Sequence, residues 1–182
     1  MTRIVLIFGL IAGAIAAGLM WLLIAVQNNG LVNIENGMVY GYTTMIIALS
    51  LVFFGIKSYR DNNGGRISFL KGLQVGILIS LICAVCYAAS WELYYRGSGQ
   101  EFLQKYTAHY IDKMKTDGAS DAEVAKAQAD MDQFMVQYQN FFVRFAFTLM
   151  EILPVGIIVT LISALLLRRR EMLPVSPAFE TQ

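Results

Sequence analysis

The sequence predicts an all-α membrane protein: four transmembrane helices with an extracytoplasmic helical hairpin between the third and fourth. Three observations carry this. Hydrophobic residues form 57% of the 182-residue chain and charged residues 15%, against about 45–50% and about 25% in soluble domains. The apolar residues gather into four runs, each near the ~20 residues that cross a bilayer core. The charges gather between the runs, and Lys and Arg concentrate on one side.

The first run, Ile4 to Val26, is continuous and rich in Gly and Ala. Arg3 gives it a basic start, but it exceeds the ~7–15 apolar residues of a signal peptide and ends without a small-residue cleavage site. A retained helix is expected. The polar stretch Gln27-Asn28-Asn29-Gly30 leads to Asn36-Gly37, and the second run follows from Val39 to Ile56. Lys57 to Arg66 is a hydrated connection whose Asn-Gly and Gly-Gly steps favour turns. The third run covers Phe69 to Tyr95 and the fourth Phe145 to Leu167, the latter holding Glu151 and Pro154 and stopping at Arg168-Arg169-Arg170. These make one domain, residues 1–170. Residues 171–182, with Pro174 and Pro177, read as a disordered cytoplasmic tail.

Residues 97–140 form the hairpin insert. Phe102, Tyr106, Tyr110 and Met114 recur at helical spacing with charges between them. Asp117-Gly118 ends that helix, because glycine accepts the left-handed conformation of a helix C-terminus. Ser120 and Glu123 then have the spacing of a capping box. Val124, Ala127, Met131, Phe134, Tyr138, Phe141 and Phe145 continue one stripe, expected to run unbroken into the fourth span.

Orientation follows from basic residues near the spans. Arg3, then Lys57, Arg60, Arg66 and Lys71, then the three arginines after Leu167 all fall on one side, whereas Gln27 to Met38 has neither Lys nor Arg. Both termini are therefore expected in the cytoplasm. The insert lies outside; Arg96 to Asn140 holds five basic and seven acidic residues, and the acidic ones bear little on the rule.

Three blocks resemble a family of small bacterial multi-pass membrane proteins catalogued as domain of unknown function 4199. They are Phe53-Phe54-Gly55-Ile56-Lys57-Ser58-Tyr59-Arg60-Asp61-Asn62-Asn63-Gly64-Gly65, Ser90-Trp91-Glu92-Leu93-Tyr94-Tyr95 and Leu153-Pro154-Val155-Gly156. The resemblance covers nearly the whole chain and implies a bacterial inner (cytoplasmic) membrane protein. It implies no activity.

Chemistry has few places to sit. Net charge is +1, so no global field attracts nucleic acid. His109 stands alone, which argues against a metal site or a Ser-His-Asp triad. Cys83 and Cys86 lack the βαβ context of a redox pair and read as small apolar side chains. No cofactor is implied, and Gly64-Gly65 lacks the spacing of a phosphate-binding loop. Gly9-x-x-x-Gly13 and Gly72-x-x-x-Gly76 read as helix-packing motifs.

The carboxylates within the spans are the exception, because burying one costs about 2.5–3.5 kcal/mol on insertion scales. Glu92 lies 21 residues after Lys71, about 31 Å along a helix, and Glu151 lies 17 residues before Arg168, about 25 Å. Both fall near the outer face and are expected at comparable depth, with Arg96 and Arg144 beside them. One reading is an outward polar pocket of Glu92, Glu151, Arg96 and Arg144, where a cation, proton or lipid amine meets two carboxylates. The other pairs each glutamate with an arginine at the interface, amid an anchoring belt of aromatics. Lys57, Arg60 and Arg66 are candidate contacts to anionic lipid headgroups.

A non-enzymatic role in binding or assembly is expected, with membrane lipids around the spans and a protein partner at the hairpin. The alternative is a small transporter or ion-handling protein using Glu92 and Glu151. Four spans are few for that task, and no inverted repeat shows between the halves. Transport would therefore call for an oligomer.

Overall fold

The computed structural model describes residues 1–31 and 36–168. The expected disordered tail, 171–182, and Arg169 and Arg170 lie outside the described residues. Among the described residues, seven α-helices run in chain order: α1 Thr2–Asn28, α2 Gly37–Leu49, α3 Leu51–Asp61, α4 Phe69–Tyr94, α5 Gln100–Thr116, α6 Asp121–Tyr138 and α7 Phe141–Leu167. A π-helical turn, Tyr95–Gly99, joins α4 to α5. Among the described residues, four helical stretches are long and apolar enough to cross a membrane: α1, α2 with α3, α4 continuing into α5, and α7.

The second stretch divides at Ser50. Its backbone stays right-handed (φ −56°, ψ −26°), and its hydroxyl donates to the Ile47 carbonyl at 2.6 Å. Such back-bonding to a preceding carbonyl locally loosens and bends a helix.

α4 is the central element, packed along α1 on one side and α7 on the other. Ala12, Ala48, Leu49, Val52, Val75 and Ile79 fill the interior and are wholly buried. Leu10, Leu22, Ile46, Met150, Ile158 and Ile162 face outward and are exposed. An apolar exterior of this extent suits a bundle surrounded by lipid.

Small residues set the α4–α7 register. A Cβ added at Gly72 would stand 3.2 Å from that of Ala164, and one at Gly76 would overlap Thr160. One turn further, a Cβ at Gly156 would lie 2.8 Å from that of Ser80, and the Ser80 and Thr160 hydroxyls are 3.3 Å apart. Each four-residue step down α4 thus meets a four-residue step up α7. Gly9 and Gly13 do the same for α1, against Ile82 and Cys86 of α4. Both glycine motifs therefore work inside one chain, where close backbone approach maximises dispersion contacts.

Beyond α4 the chain bends. Trp91 and Phe102 bring their ring centroids within 6.1 Å, whereas a straight helix holds residues eleven apart at about 16 Å. The π-helical turn, where i→i+5 bonding interrupts the α ladder, accounts for the bend. α5 ends in a Schellman arrangement: the Ala119 amide donates to the Met114 carbonyl at 3.0 Å, with Gly118 at φ +86°. α6 opens with a capping box, in which the Ser120 amide donates to Glu123 Oε2 at 2.8 Å and the Glu123 amide donates to Ser120 Oγ. α5 and α6 pack on each other.

The stripe expected to run unbroken from α6 into α7 is interrupted. Asn140 is extended (φ −73°, ψ 124°), and its side chain accepts from the Phe142 and Val143 amides. Asparagine favours this N-cap position because its side-chain oxygen replaces the missing intrahelical acceptor.

Candidate functional site

At the α5–α6 end of the bundle, the α4–α7 register that aligns Gly72 with Ala164 aligns Glu92 with Arg144. The guanidinium grips the carboxylate with two parallel bonds, Nε to Oε1 at 2.7 Å and Nη2 to Oε2 at 2.6 Å. Its remaining nitrogen, Nη1, donates to the Tyr138 carbonyl at 2.9 Å and the Gln139 carbonyl at 3.3 Å. Glu92 and Arg144 are 5% and 6% exposed, so the bidentate geometry and carbonyl bonds offset a large desolvation cost.

Arg144 also caps a helix. The Tyr138 and Gln139 carbonyls close α6, where the last carbonyls lack intrahelical donors and carry partial negative charge. The Tyr95 ring lies against the guanidinium, 3.8 Å from centroid to Cζ. Gly99 leaves room for this, because a Cβ there would stand 2.6 Å from Tyr95 Cδ2. Trp91 Nε1 donates to the Tyr138 hydroxyl at 2.9 Å, and burial pushes the Tyr138 phenol up from its ordinary value. The cluster fastens α4, α6 and α7 together.

Glu151 sits apart from this clamp. It lies seven residues inward from Arg144 on α7, about 10 Å along the axis. The expectation that Glu92 and Glu151 face each other at comparable depth is therefore corrected. Lys71 and Arg168 are poor depth markers because they are not level with each other; Gly72 is level with Ala164. Arg96 is exposed and forms no ion pair among the described residues. Of the four expected pocket residues, the structure joins Glu92 to Arg144 and leaves Glu151 and Arg96 elsewhere.

Glu151 instead lines a cavity of about 350 Å³. α1 contributes Met20, Leu23, Ile24 and Gln27, and α2 contributes Gly37, Met38, Gly41 and Thr44. The aromatic wall is Tyr87 and Trp91 of α4, Phe102 and Tyr106 of α5, and Tyr138 of α6. Thr148, one turn from Glu151, completes the α7 side, its hydroxyl donating to the Arg144 carbonyl at 3.0 Å. Glu151 meets no cation or hydrogen-bond donor among the described residues. A smaller recess of about 100 Å³ shares Gln27, Phe102 and Tyr106 with the cavity and adds Asn28 and Lys105.

The chain matches a family model described as Protein of unknown function (DUF4199) over residues 7–169, nearly its whole length. The chain belongs to this family. No curated protein and no solved structure matches it. In this DUF4199 chain, the block Ser90 to Tyr95 supplies Trp91, Glu92 and Tyr95 to the clamp. The block Leu153 to Gly156 begins two residues inward of Glu151.

The remaining block, Phe53 to Gly65, lies at the opposite end, and the expected lipid contact there is corrected for Arg60. Arg60 is 1% exposed, with Nε and Nη2 donating to Asp61 Oδ1 at 3.0 and 2.9 Å. Lys57 Nζ holds the other oxygen of Asp61 at 2.6 Å. Asp61, their acidic neighbour, turns Arg60 inward and holds Lys57 half-buried. Arg66 is exposed.

Sequence reasoning missed the contributions of α5 and α2 to the cavity. The Phe102–Tyr106 stripe signalled an apolar face, but its destination depends on the π-helical bend. Gly41 and Thr44 of α2 carry no such signal, because small residues in a span read equally well as packing.

Proposed function

We propose that this chain is a multi-pass protein of the bacterial inner membrane, with both termini in the cytoplasm and α5–α6 outside. In this reading it is a non-enzymatic binding protein whose ligand enters the cavity beneath α5. One observation carries it: six helices leave about 350 Å³ open beside the carboxylate of Glu151, an exposed side chain with no ion-pair or hydrogen-bond partner among the described residues. Pockets that take small molecules range over about 300–1,000 Å³, mostly apolar with few polar groups. The basic residues flanking the α3–α4 connection support the orientation.

Binding is favoured over conduction by what lies inward of Glu151. Leu49, Val52, Ile79 and Ile152 are 0–1% exposed and close the bundle toward the other end. Purification in native-membrane discs, with mass spectrometry of retained molecules, tests the reading. A stoichiometric small molecule or lipid, lost when Gly41→Trp fills the cavity, is the expected result. A chain with empty discs, or one holding the same lipids after filling, would reject it.

A further inference from the structure

Resting on that binding reading, we propose that the ligand is an alkylammonium: one positive nitrogen seated on Glu151, with an apolar chain along α1 and α2. Two sources share this chemistry, the headgroup of an aminolipid and a free organic amine.

The charge on the cavity walls selects the sign. Glu151 is acidic, and the nearest arginine, Arg144, is committed to Glu92 and two carbonyls. In the adjoining recess Lys105 pairs with Glu101 at 2.7 Å. The other polar side chains on the cavity wall are neutral: Gln27, Thr44, Thr148 and the tyrosine hydroxyls. Glu151 is therefore the one acidic side chain on the cavity wall, with no basic side chain beside it among the described residues. Glu151 is an exposed side chain on the cavity wall, and an intramembrane carboxylate is favoured by a counter-charge and by hydrogen bonds. A cation on the ligand supplies both.

The walls also select an organic cation over an inorganic one. Oxygen-bound metal ions take about six to eight close ligands, and no cluster of three or more His, Cys, Asp or Glu exists among the described residues. An ammonium needs fewer. One carboxylate accepts its hydrogen bond or balances its charge, and aromatic faces stabilise the rest through cation–π attraction. Tyr87, Trp91 and Tyr138 stand on the same wall as Glu151. Opposite them, Met20, Leu23, Ile24 and Met38 offer methyl and thioether surface that suits a flexible chain, since methionine adapts to irregular shapes.

The test uses the full chain in a nonionic detergent, with decylammonium and its uncharged counterpart decanol as probes. Tryptophan fluorescence reports binding, because Trp91 lines the cavity. Saturable binding of decylammonium is expected, weakened about tenfold or more by Glu151→Gln, in keeping with charge-assisted hydrogen bonds, while decanol binds weakly to both proteins. Equal binding of the two probes to the native chain would overturn the cation assignment yet leave the binding reading standing. No saturable binding of either would remove both. Comparing probes on the native chain keeps the test decisive if Glu151→Gln fails to fold. Displacement of decylammonium by phosphatidylethanolamine, but not phosphatidylglycerol, supports the lipid source. Displacement by butylammonium alone supports the free amine. Displacement by phosphatidylglycerol as readily as by either amine overturns the proposal.

Discussion

Glu92 and Arg144 close the same antiparallel seam that Gly72 and Ala164 open, twenty residues away along each helix. One register thus serves two opposite chemistries. Small residues bring the backbones together at one end, and an ion pair locks the helices at the other. Arg144 then passes the constraint to α6 through the Tyr138 and Gln139 carbonyls.

The first prediction concerns this lock. Glu92→Leu leaves a buried guanidinium without its counter-charge, and removing one partner of such a pair costs about 3–5 kcal/mol. Arg144→Met strands the carboxylate in the same way. The double variant should recover much of the loss, because both charges go together. Thermal unfolding in detergent measures it, and a double variant no better than the worse single one would show that the pair is not acting as a unit.

A second cycle separates Glu92 from Glu151. The two lie at different levels, and Glu92 is neutralised by Arg144, so Glu92→Gln and Glu151→Gln should add to within about 0.5 kcal/mol. Interaction energy well above that would mean that the carboxylates sense each other, and would restore a two-carboxylate site.

Much of this fold was legible in the sequence, and the reason is the bilayer. Apolar length and basic flanks report four spans with little dependence on tertiary detail. The Ser120–Glu123 box and the Gly118 terminus were equally legible, because both motifs involve only neighbours in sequence. The site was harder. Glu92, Arg144 and Glu151 were legible as costly residues, but which of them meet depends on the α4–α7 register. That register is fixed by Gly72, Gly76 and Gly156, whose partners no local pattern names. The bend at Tyr95–Gly99 was hidden for a similar reason, since the third apolar run simply ends at Tyr95 and nothing local names the rings that meet across the turn. Arg60 misled because its burial comes from tertiary packing of α3.

A third prediction grades the seam. Gly72→Ala adds a methyl 3.2 Å from that of Ala164, so Ala164 must shift slightly and a small loss is expected. Gly76→Ala collides with the branched Thr160 side chain and should cost about 1–3 kcal/mol, the range for overpacking. Gly18→Ala meets nothing within 4 Å and should be neutral or slightly stabilising, since alanine is the better helix former. Melting temperatures ordered Gly76→Ala below Gly72→Ala below Gly18→Ala would match the seam. A reversed order would place the close approach elsewhere.

The capping box gives a pH dependence with a definite sign. The Ser120 backbone N–H, then its hydroxyl, hold the Glu123 carboxyl below the usual glutamate value. A carboxyl whose folded value is depressed contributes stability above its unfolded value and loses it as pH falls through the folded one. The start of α6 should therefore loosen on acidification below the ordinary glutamate range. Ser120→Ala removes the reciprocal acceptor and should cost about 1 kcal/mol of local stability. Amide exchange near Val124, corrected for intrinsic rates, should rise with acid in the native chain and respond much less in Glu123→Gln, which has no carboxyl to titrate. Equal acid response in both would detach Glu123 from the cap.

Orientation is the last prediction, and it rests on charge rather than on packing. Lys57, Arg60, Arg66 and Lys71 cluster at the α3–α4 connection, and the stretch from Gln27 to Met38 has no Lys or Arg. Basic residues near span ends stay cytoplasmic, while acidic ones count for little. Two of these cations share Asp61 in the folded chain, but the sorting acts during insertion, before that packing exists, so their count still applies. Single cysteines at Asn62 and Asp117, both exposed positions, report the two sides, in a background where Cys83 and Cys86 are replaced by alanine. Asp117 is preferred to its neighbour because Gly118 has φ +86° and would strain any side chain. In intact cells with permeabilised outer membranes, a membrane-impermeant maleimide should label position 117 and spare position 62. Labelling at 62 alone would invert the topology, put α5–α6 in the cytoplasm, and turn the mouth of the Glu151 cavity toward the cell interior.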